Sequence, residues 1–439
     1  MDELEIRLVL RFNVPEDSLT VNGILQGLEE QTPLILTTLL EMIFKALEER
    51  TVGRWRREHP GRYISNGHQS NARKLITHFG AFRYRMIQLI DTQTGKTVIP
   101  LAKELRLEAN KRYQAGALES GIGLAIHLSY RQASSEVTRI RGQGPSKSTL
   151  YRWFGELSQT HGQWPEMKEI PYRFLMVDGT KVHLQGTGGM DLGQAEMRWA
   201  LASQGPGHPF EPVGFWIGEG WTGIRQDLER RLAYEKIEVL FSDGGPGIEE
   251  NLLAEGMSQQ RCLWHGKREF PFSFYHDGLK KVGQAPFKAL FDQIPAFSLT
   301  KERLEQIDPA DSQSIQELAQ NTRKGFEQLL AAVDSKKYPT AKAYLTNLYQ
   351  HTTTFLDYWL KTKQWLPLNT NAIESSFSRV TNRIKKIGKR WSDRGLLRWL
   401  MLALRKIFKP ELWTQLWDQY LKINRKMELV MLKAEYTWL

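Results

Sequence analysis

The sequence predicts an α/β fold, a mixed sheet interrupted by an all-α insertion domain and preceded by an α+β N-terminal region with a helix-turn-helix. Three observations predict it. Apolar runs of strand length alternate with helical patterns over residues 172–265, residues 266–368 carry helical patterns only, and a helix with a basic cluster restarts at Asn371. The 439 residues suffice for several domains of roughly 100–200 residues each. The expected boundaries are 1–110 for an N-terminal α+β module, 111–165 for a helical segment with the helix-turn-helix, and 166–265 for the first part of the sheet core. The insertion takes 266–368, the second part of the core 369–410, and a helical tail 411–439.

Taken in order, residues 4–12 alternate as a strand would, and 32–49 place Leu36, Leu39, Leu40, Ile43 and Leu47 at helical spacing. The segment 53–71, with Pro60 and several Gly, Arg and Asn residues, reads as an exposed connection. Alternation over 74–90 and 97–101 around Asp91-Thr92-Gln93-Thr94-Gly95 predicts a hairpin. A short helix over 131–140 is broken at Arg141-Gly142-Gln143-Gly144-Pro145, and Ser146 caps the next. That is either an ordinary helical hairpin or a helix-turn-helix presenting Lys147, Ser148, Thr149 and Arg152 to a DNA major groove.

Within the core, Tyr172–Leu184 is a strand with a break at Gly179, 196–203 a second and Pro212–Ile217 a third. A helix over 222–236 leads to the strand Glu238–Ser242, then to a helix over 247–255 and a short strand ending near Trp264. Three antiparallel strands, a crossover helix and a parallel strand is the order of an RNase H-like sheet. The stripe Leu345, Leu348, Phe355, Leu356, Trp359 predicts that the insertion buries a core of its own, with its two ends emerging together near His265 and Asn369.

Lys and Arg total 60 against 49 Asp and Glu, a net +11 that favours a polyanionic partner. The charge is gathered in two places. Residues 51–85 hold eight Lys/Arg against one Glu, and 375–410 hold eleven against one Asp, with Trp55, Tyr63, Phe82, Tyr84, Trp391 and Trp399 interleaved. Such a run is often a solvated face; two clusters mixed with aromatic rings favour nucleic acid. No apolar run approaches the ~18 residues of a membrane span, and Met1-Asp2-Glu3-Leu4-Glu5 is acidic where a signal peptide is basic, so a cytoplasmic protein without a membrane partner is expected. Cys262 is the single cysteine, which excludes a disulfide framework and a thiolate-rich zinc finger.

Asp178 closes the apolar run Phe174–Val177, Asp243 closes Val239–Ser242, and a glycine follows each. On adjacent parallel strands their carboxylates would converge at one sheet edge, where a divalent cation removes the repulsion between them. Asp before Gly is also a common turn ending. Glu374, one turn into the helix at Asn371, is the candidate third carboxylate, or the partner of Asn371 in a capping box.

Thr370-Asn371-Ala372-Ile373-Glu374-Ser375 resembles the Glu motif of the Mutator-type transposases of insertion sequences, a group of RNase H-like DDE recombinases, or of a close sister family. Arg379, Arg383, Ile384, Lys385, Lys386 and Gly388 resemble its basic helix, and Arg261-Cys262-Leu263-Trp264-His265 its Cys-x-x-His signature; the N-terminal 110 residues resemble nothing in it. The resemblance implies that Asp178, Asp243 and Glu374 are catalytic and bind two Mg²⁺ ions, with Mn²⁺ as substitute. It also implies that Cys262, His265 and Asn371 support the active site, and that Arg379, Arg383, Lys385, Lys386 and Arg390 line the DNA strand path. The reaction implied is metal-dependent cleavage and strand transfer at the terminal repeats of an element, on double-stranded element and target DNA. A homodimer or higher homo-oligomer on DNA, and a cytoplasmic, nucleoid-associated location, follow from the same likeness. A nuclease or resolvase on the same core, and a domesticated DNA-binding regulator, are the competing functions. A zinc site at Cys262 and His265 is a further alternative, requiring two ligands from elsewhere.

Overall fold

In the computed structural model the described residues are 4–14, 20–77, 79–108, 111–161, 164–186, 189–308, 311–387 and 391–421. The chain divides into two compact units, Met1–His161 with Lys409–Leu439, and Gly162–Phe408.

The first unit begins with a long helix, α1 (Val21–Glu58), whose N-cap Thr20 accepts from the Gly23 N–H at 3.1 Å. Five short strands follow: β1 (Tyr63–His68), β2 (Arg73–Thr77), β3 (Gly80–Tyr84), β4 (Ile87–Asp91) and β5 (Thr97–Val98). They form an antiparallel sheet in the order β1-β4-β5 and a separate β2-β3 hairpin. With α2 (Pro100–Glu104) they enclose a core of Phe44, Leu75, Phe82, Tyr84, Met86 and Leu101. Glu48 is buried beneath it and satisfied, accepting from the Tyr84 hydroxyl at 2.9 Å and the Ile87 N–H at 2.7 Å.

The hairpin expected around 91–95 forms between β4 and β5. The strand expected over 4–12 does not form: residues 4–14 have no regular structure and lie largely exposed, so their alternation has no sheet to face. Nor is 53–71 a connection, because α1 continues to Glu58 and β1 occupies much of the rest.

Three helices pack together next: α3 (Ala115–Ala125), α4 (Tyr130–Arg141) and α5 (Lys147–His161). Ser129 caps α4 through a capping box with Gln132, and Gly142 ends it with φ +69°, the left-handed conformation that glycine takes without strain. Ser146 accepts from the Thr149 N–H at 3.2 Å, the cap the sequence predicts.

The second unit is built on a five-stranded mixed sheet of β6 (Phe174–Gln185), β7 (Asp191–Ser203), β8 (Glu211–Ile217), β9 (Val239–Ser242) and β10 (Ser258–Arg261), in the order β10-β9-β6-β7-β8. β6, β7 and β8 are antiparallel neighbours; β9 runs parallel to β6, and β10 parallel to β9. Phe174–Val177 is buried on both faces, as a continuous apolar run in a central strand requires. One face packs on α6 (Trp221–Arg231) and α7 (Ile248–Leu252) through Leu175, Val177, Ile224, Leu228, Leu240 and Leu252.

β6 is not broken at Gly179, which pairs with Arg198 inside the ladder; a Cβ there would fall 2.7 Å from Glu196 Oε1. Trp264 lies beyond the last strand, in the first turn of α8 (Leu263–His276).

The inserted helices are α8, α9 (Ala285–Asp292), α10 (Lys301–Glu305), α11 (Ser312–Ala332), α12 (Pro339–Thr352) and α13 (Thr354–Thr362). Phe270, Phe291, Ile294, Phe326, Leu345 and Leu348 give them an apolar cluster of their own. They also cover the edge strand: the Thr354 hydroxyl donates to the Gln259 carbonyl at 2.6 Å, and the Phe355 N–H donates to Gln260 Oε1 at 2.8 Å. The two ends of the insertion meet as expected, the Leu263 N–H donating to the Leu368 carbonyl at 2.9 Å. The chain then returns to the sheet as α14 (Asn371–Thr381), widens into a π turn over Asn382–Lys386, and continues as α15 (Asp393–Phe408). Phe377 and Phe408 pack edge-on against Trp199 of β7, which places α14 and α15 on the sheet. The helix α16 (Pro410–Leu421) belongs to the first unit and packs on α3.

Candidate active site

The parallel ladder between β6 and β9 pairs Phe174 with Val239, Leu175 with Leu240 and Met176 with Phe241. Counting two residues on from that last pair reaches Asp178 on one strand and Asp243 on the other. The aspartates therefore stand in matching register beyond the end of the parallel ladder, Asp178 inside β6 and Asp243 just past β9. Each is anchored locally: the Gly179 N–H donates to Asp178 Oδ1 at 2.7 Å, and the Gly245 N–H donates to Asp243 Oδ1 at 2.9 Å. Burial and the neighbouring Asp243 charge push the Asp178 carboxyl up to about 7, with Glu374 adding to the rise; the Gly179 N–H and His265 oppose it. The charges of Asp243, Glu374 and His265 thus all act on the Asp178 carboxyl.

Glu374 does not cap its helix. The N-cap of α14 is Thr370, no side-chain capping bond forms, and the buried Glu374 Oε1 has no hydrogen-bond partner. The capping-box alternative is thereby overturned. His265 Nε2 stands 3.6 Å from that oxygen, while His265 Nδ1 lies 3.2 Å from Cys262 Sγ and 3.3 Å from Thr370 Oγ1. Burial lowers the imidazole pKa, but the Cys262 contact outweighs it and leaves it above its ordinary value. Burial likewise raises the Cys262 thiol, and the His265 and Thr370 hydrogen bonds outweigh that and leave it lowered. Cys262 and His265 are thus partners of each other and of the Glu374 helix.

Among the described residues no group of three or more His, Cys, Asp or Glu side chains stands close enough, as placed, to hold a metal ion, and this covers the zinc alternative too. In residue type the donor set nonetheless suits a hard cation: three carboxylates, one oxygen without a hydrogen bond, and one carboxyl raised by burial and by its Asp243 neighbour.

Other residues singled out by the sequence fall in several places. Asn371 is exposed in the first turn of α14, its N–H donating to Asn369 Oδ1 at 3.1 Å. Lys385 reaches the carboxylate end of the sheet, donating to Thr180 Oγ1 at 2.6 Å, two residues beyond Asp178. Lys386 and Arg379 are exposed, and the Arg379 guanidinium lies 5.2 Å from the Phe408 ring centroid. Arg383 is a correction to the expected strand path. Its side chain is buried over Trp391 at 4.4 Å and donates to the Ile387 carbonyl at 2.6 Å, because the π turn swings it inward. Arg390 lies outside the described residues. In the first unit, Lys147, Ser148 and Arg152 are exposed on α5 and Thr149 is half-buried, with Arg152 3.6 Å from Glu156.

Two residues next to the site stand in the quoted motifs without a role assigned to them. Thr370 is buried against His265, and Arg261 is buried beside Asp243, donating to its backbone carbonyl at 2.6 Å. An arginine ending a strand reads as surface charge, so its place at the head of the Cys-x-x-His segment gives no sign of its burial.

No family model matches the chain. It is 22% identical over 354 residues, 74% of this chain and 70% of the other, to a Streptococcus gallolyticus protein described as "UPF0236 protein in vanSb 3'region". Among solved structures, a chain of the Drosophila P element transposase strand transfer complex aligns over 69% of this chain and 95% of its own at 12% identity. Its TM-score of 0.36 is too low to assign a fold. No helix among the described residues is long and apolar enough to cross a membrane.

Proposed function

We propose that the chain is a DDE transposase with an RNase H-like core, which binds the ends of an insertion sequence and catalyses DNA cleavage and strand transfer. The observation that carries this reading is the matched register of Asp178 and Asp243 beyond the parallel ladder, with the Glu374 charge acting on Asp178 and its Oε1 free of hydrogen bonds. The strand order and directions support it, being those of an RNase H-like sheet. The likeness of residues 370–375 to the Mutator-type Glu motif points to that type or a sister family.

In this reading Asp178, Asp243 and Glu374 hold two Mg²⁺ ions, or Mn²⁺ in their place. Bound there, the ions would activate the attacking oxygen and stabilise the leaving one during phosphodiester exchange. His265, steadied by Cys262 and Thr370, keeps Glu374 turned towards the aspartates. Lys385 and Lys386 meet phosphates at the carboxylate end, and Lys147, Ser148, Thr149 and Arg152 read the element ends. Double-stranded DNA is the partner, a homo-oligomer assembles on it, and the protein acts at the nucleoid.

The test is a strand-transfer assay with the DNA that flanks the gene, run on wild type and on Asp178→Ala, Asp243→Ala and Glu374→Ala. Wild type joins ends and each variant does not. Cutting without joining by wild type would favour a nuclease or resolvase, and binding without cutting a regulator.

A further inference from the structure

Arg261 closes β10 with its side chain turned inward, only 3% exposed. Its Nη2 donates to the backbone carbonyl of Asp243 at 2.6 Å, and its Nη1 donates to Asn347 Oδ1 at 2.8 Å. The guanidinium also lies 5.1 Å from the Tyr344 ring centroid. Tyr344 and Asn347 are three residues apart on α12 and so share one face of that inserted helix. Asn347 is itself held, its amide donating to Glu249 Oε2 of α7 at 2.7 Å.

The sheet alone does not fix Asp243. The β6–β9 ladder ends at Met176 and Phe241, and the β9–β10 ladder ends at Ser242 and Arg261, so Asp243 lies beyond both. Its carbonyl needs a donor from elsewhere, and Arg261 supplies it. The turn leaves room for nothing else: Gly244 sits at φ +82°, and a Cβ there would fall 2.2 Å from the guanidinium carbon. A planar guanidinium with several fixed donors can hold two acceptors in one geometry, which a lysine ammonium cannot.

We propose that Arg261 is a positioning residue that ties the Asp243 turn to the helical insertion through Asn347, so that docking of α12 sets where the Asp243 carboxylate points. The proposal rests on Asp243 being a metal ligand. The insertion then acts on the reacting end directly: displacing α12 by more than a hydrogen-bond length releases Asn347 from Arg261, and with it the turn.

The experiment uses the full chain with Asn347→Ala, Arg261→Lys and Asp243→Ala, measuring Mn²⁺ binding without DNA by calorimetry and DNA nicking as a function of Mn²⁺ concentration. Asn347→Ala should fold, with its half-saturating Mn²⁺ raised about tenfold in both assays and nicking restored at saturating metal, as for loss of a residue that orients a ligand. Arg261→Lys should move the same way; if it fails to fold, Asn347→Ala still decides. Wild-type Mn²⁺ dependence in Asn347→Ala, with binding lost in Asp243→Ala, overturns the proposal and leaves the function intact. Asp243→Ala that binds Mn²⁺ and nicks as wild type overturns the functional reading and this one with it.

Discussion

Asp178, inside β6, and Asp243, just past the end of β9, each stand two residues beyond the last rung of the parallel ladder that joins those strands. Burial first, and then the neighbouring Asp243 charge, raise the Asp178 carboxyl from 3.8 to about 7. In the metal-free protein this is a cost of folding that a bound cation would lift.

That cost has a pH signature. Because the folded-state value is raised, the folded protein keeps a proton that the unfolded chain releases. The stabilising contribution is complete below about pH 4 and lost as pH rises through about 7. In a chelator, Asp178→Asn should therefore be more stable than wild type at pH 8, by on the order of 1–3 kcal/mol, with the difference vanishing towards pH 4. Thermal melts of both proteins across that range check it. A pH-independent difference would show that the carboxyl is not perturbed, and Mn²⁺ should reverse the order at pH 8.

Glu374→Gln should abolish nicking while leaving stability within about 0.5 kcal/mol of wild type. The reason is that Glu374 makes no capping bond and its Oε1 has no hydrogen bond to lose, only a 3.6 Å approach to His265 Nε2. Gel shifts on the same variant should match wild type, since a metal ligand contributes little to a basic footprint. Nicking at the wild-type rate would remove Glu374 from the catalytic set.

The basic residues should separate into three behaviours. Lys147→Ala with Arg152→Ala should reduce the preference for element ends over random DNA. Lys385→Ala should weaken binding to all sequences alike and lower the salt slope by about one. Arg383→Ala should instead cost roughly 1–3 kcal/mol of stability, because its guanidinium packs on Trp391 and serves the Ile387 carbonyl. Binding titrations over a range of salt, with a melt of each variant, distinguish the three; an Arg383→Ala that melts like wild type and loses salt dependence would return it to the strand path.

These residues show how far the sequence could be read. The apolar runs before the two Asp-Gly pairs were legible as neighbouring buried strands because burial on both faces leaves an unbroken Phe174–Val177 and Val239–Ser242, although β6 runs on past Gly179. The α4–α5 break was legible because glycine at φ +69° and a Ser146 cap are local devices. Arg383 was not, since its burial depends on the π turn, a shift of register with no mark in composition. Residues 4–12 show the converse: alternation describes a surface that could join a sheet and does not supply the neighbour.

The helical insertion tests how the second unit holds together. Its Phe270, Phe326 and Leu345 cluster alone would let it fold apart from the sheet, and a long loop costs little entropy, so replacing 270–364 by a short Gly/Ser linker looks harmless. The contacts to β10 argue otherwise. Removing α12 and α13 strips Thr354 from the Gln259 carbonyl, Phe355 from Gln260, and Asn347 from Arg261. It also uncovers the edge strand of a sheet whose neighbours are apolar on both faces. Gln259, Gln260 and Arg261 are all buried, so each would be left wet or unpaired at about 1–3 kcal/mol apiece. That sum is comparable to the whole stability of a typical domain. The deletion protein should therefore be insoluble or lose its near-UV circular dichroism, whereas Asn347→Ala, which breaks one tie, should stay folded. A soluble deletion protein with a cooperative melt would show that the sheet closes its own edge and that the insertion is a separable domain.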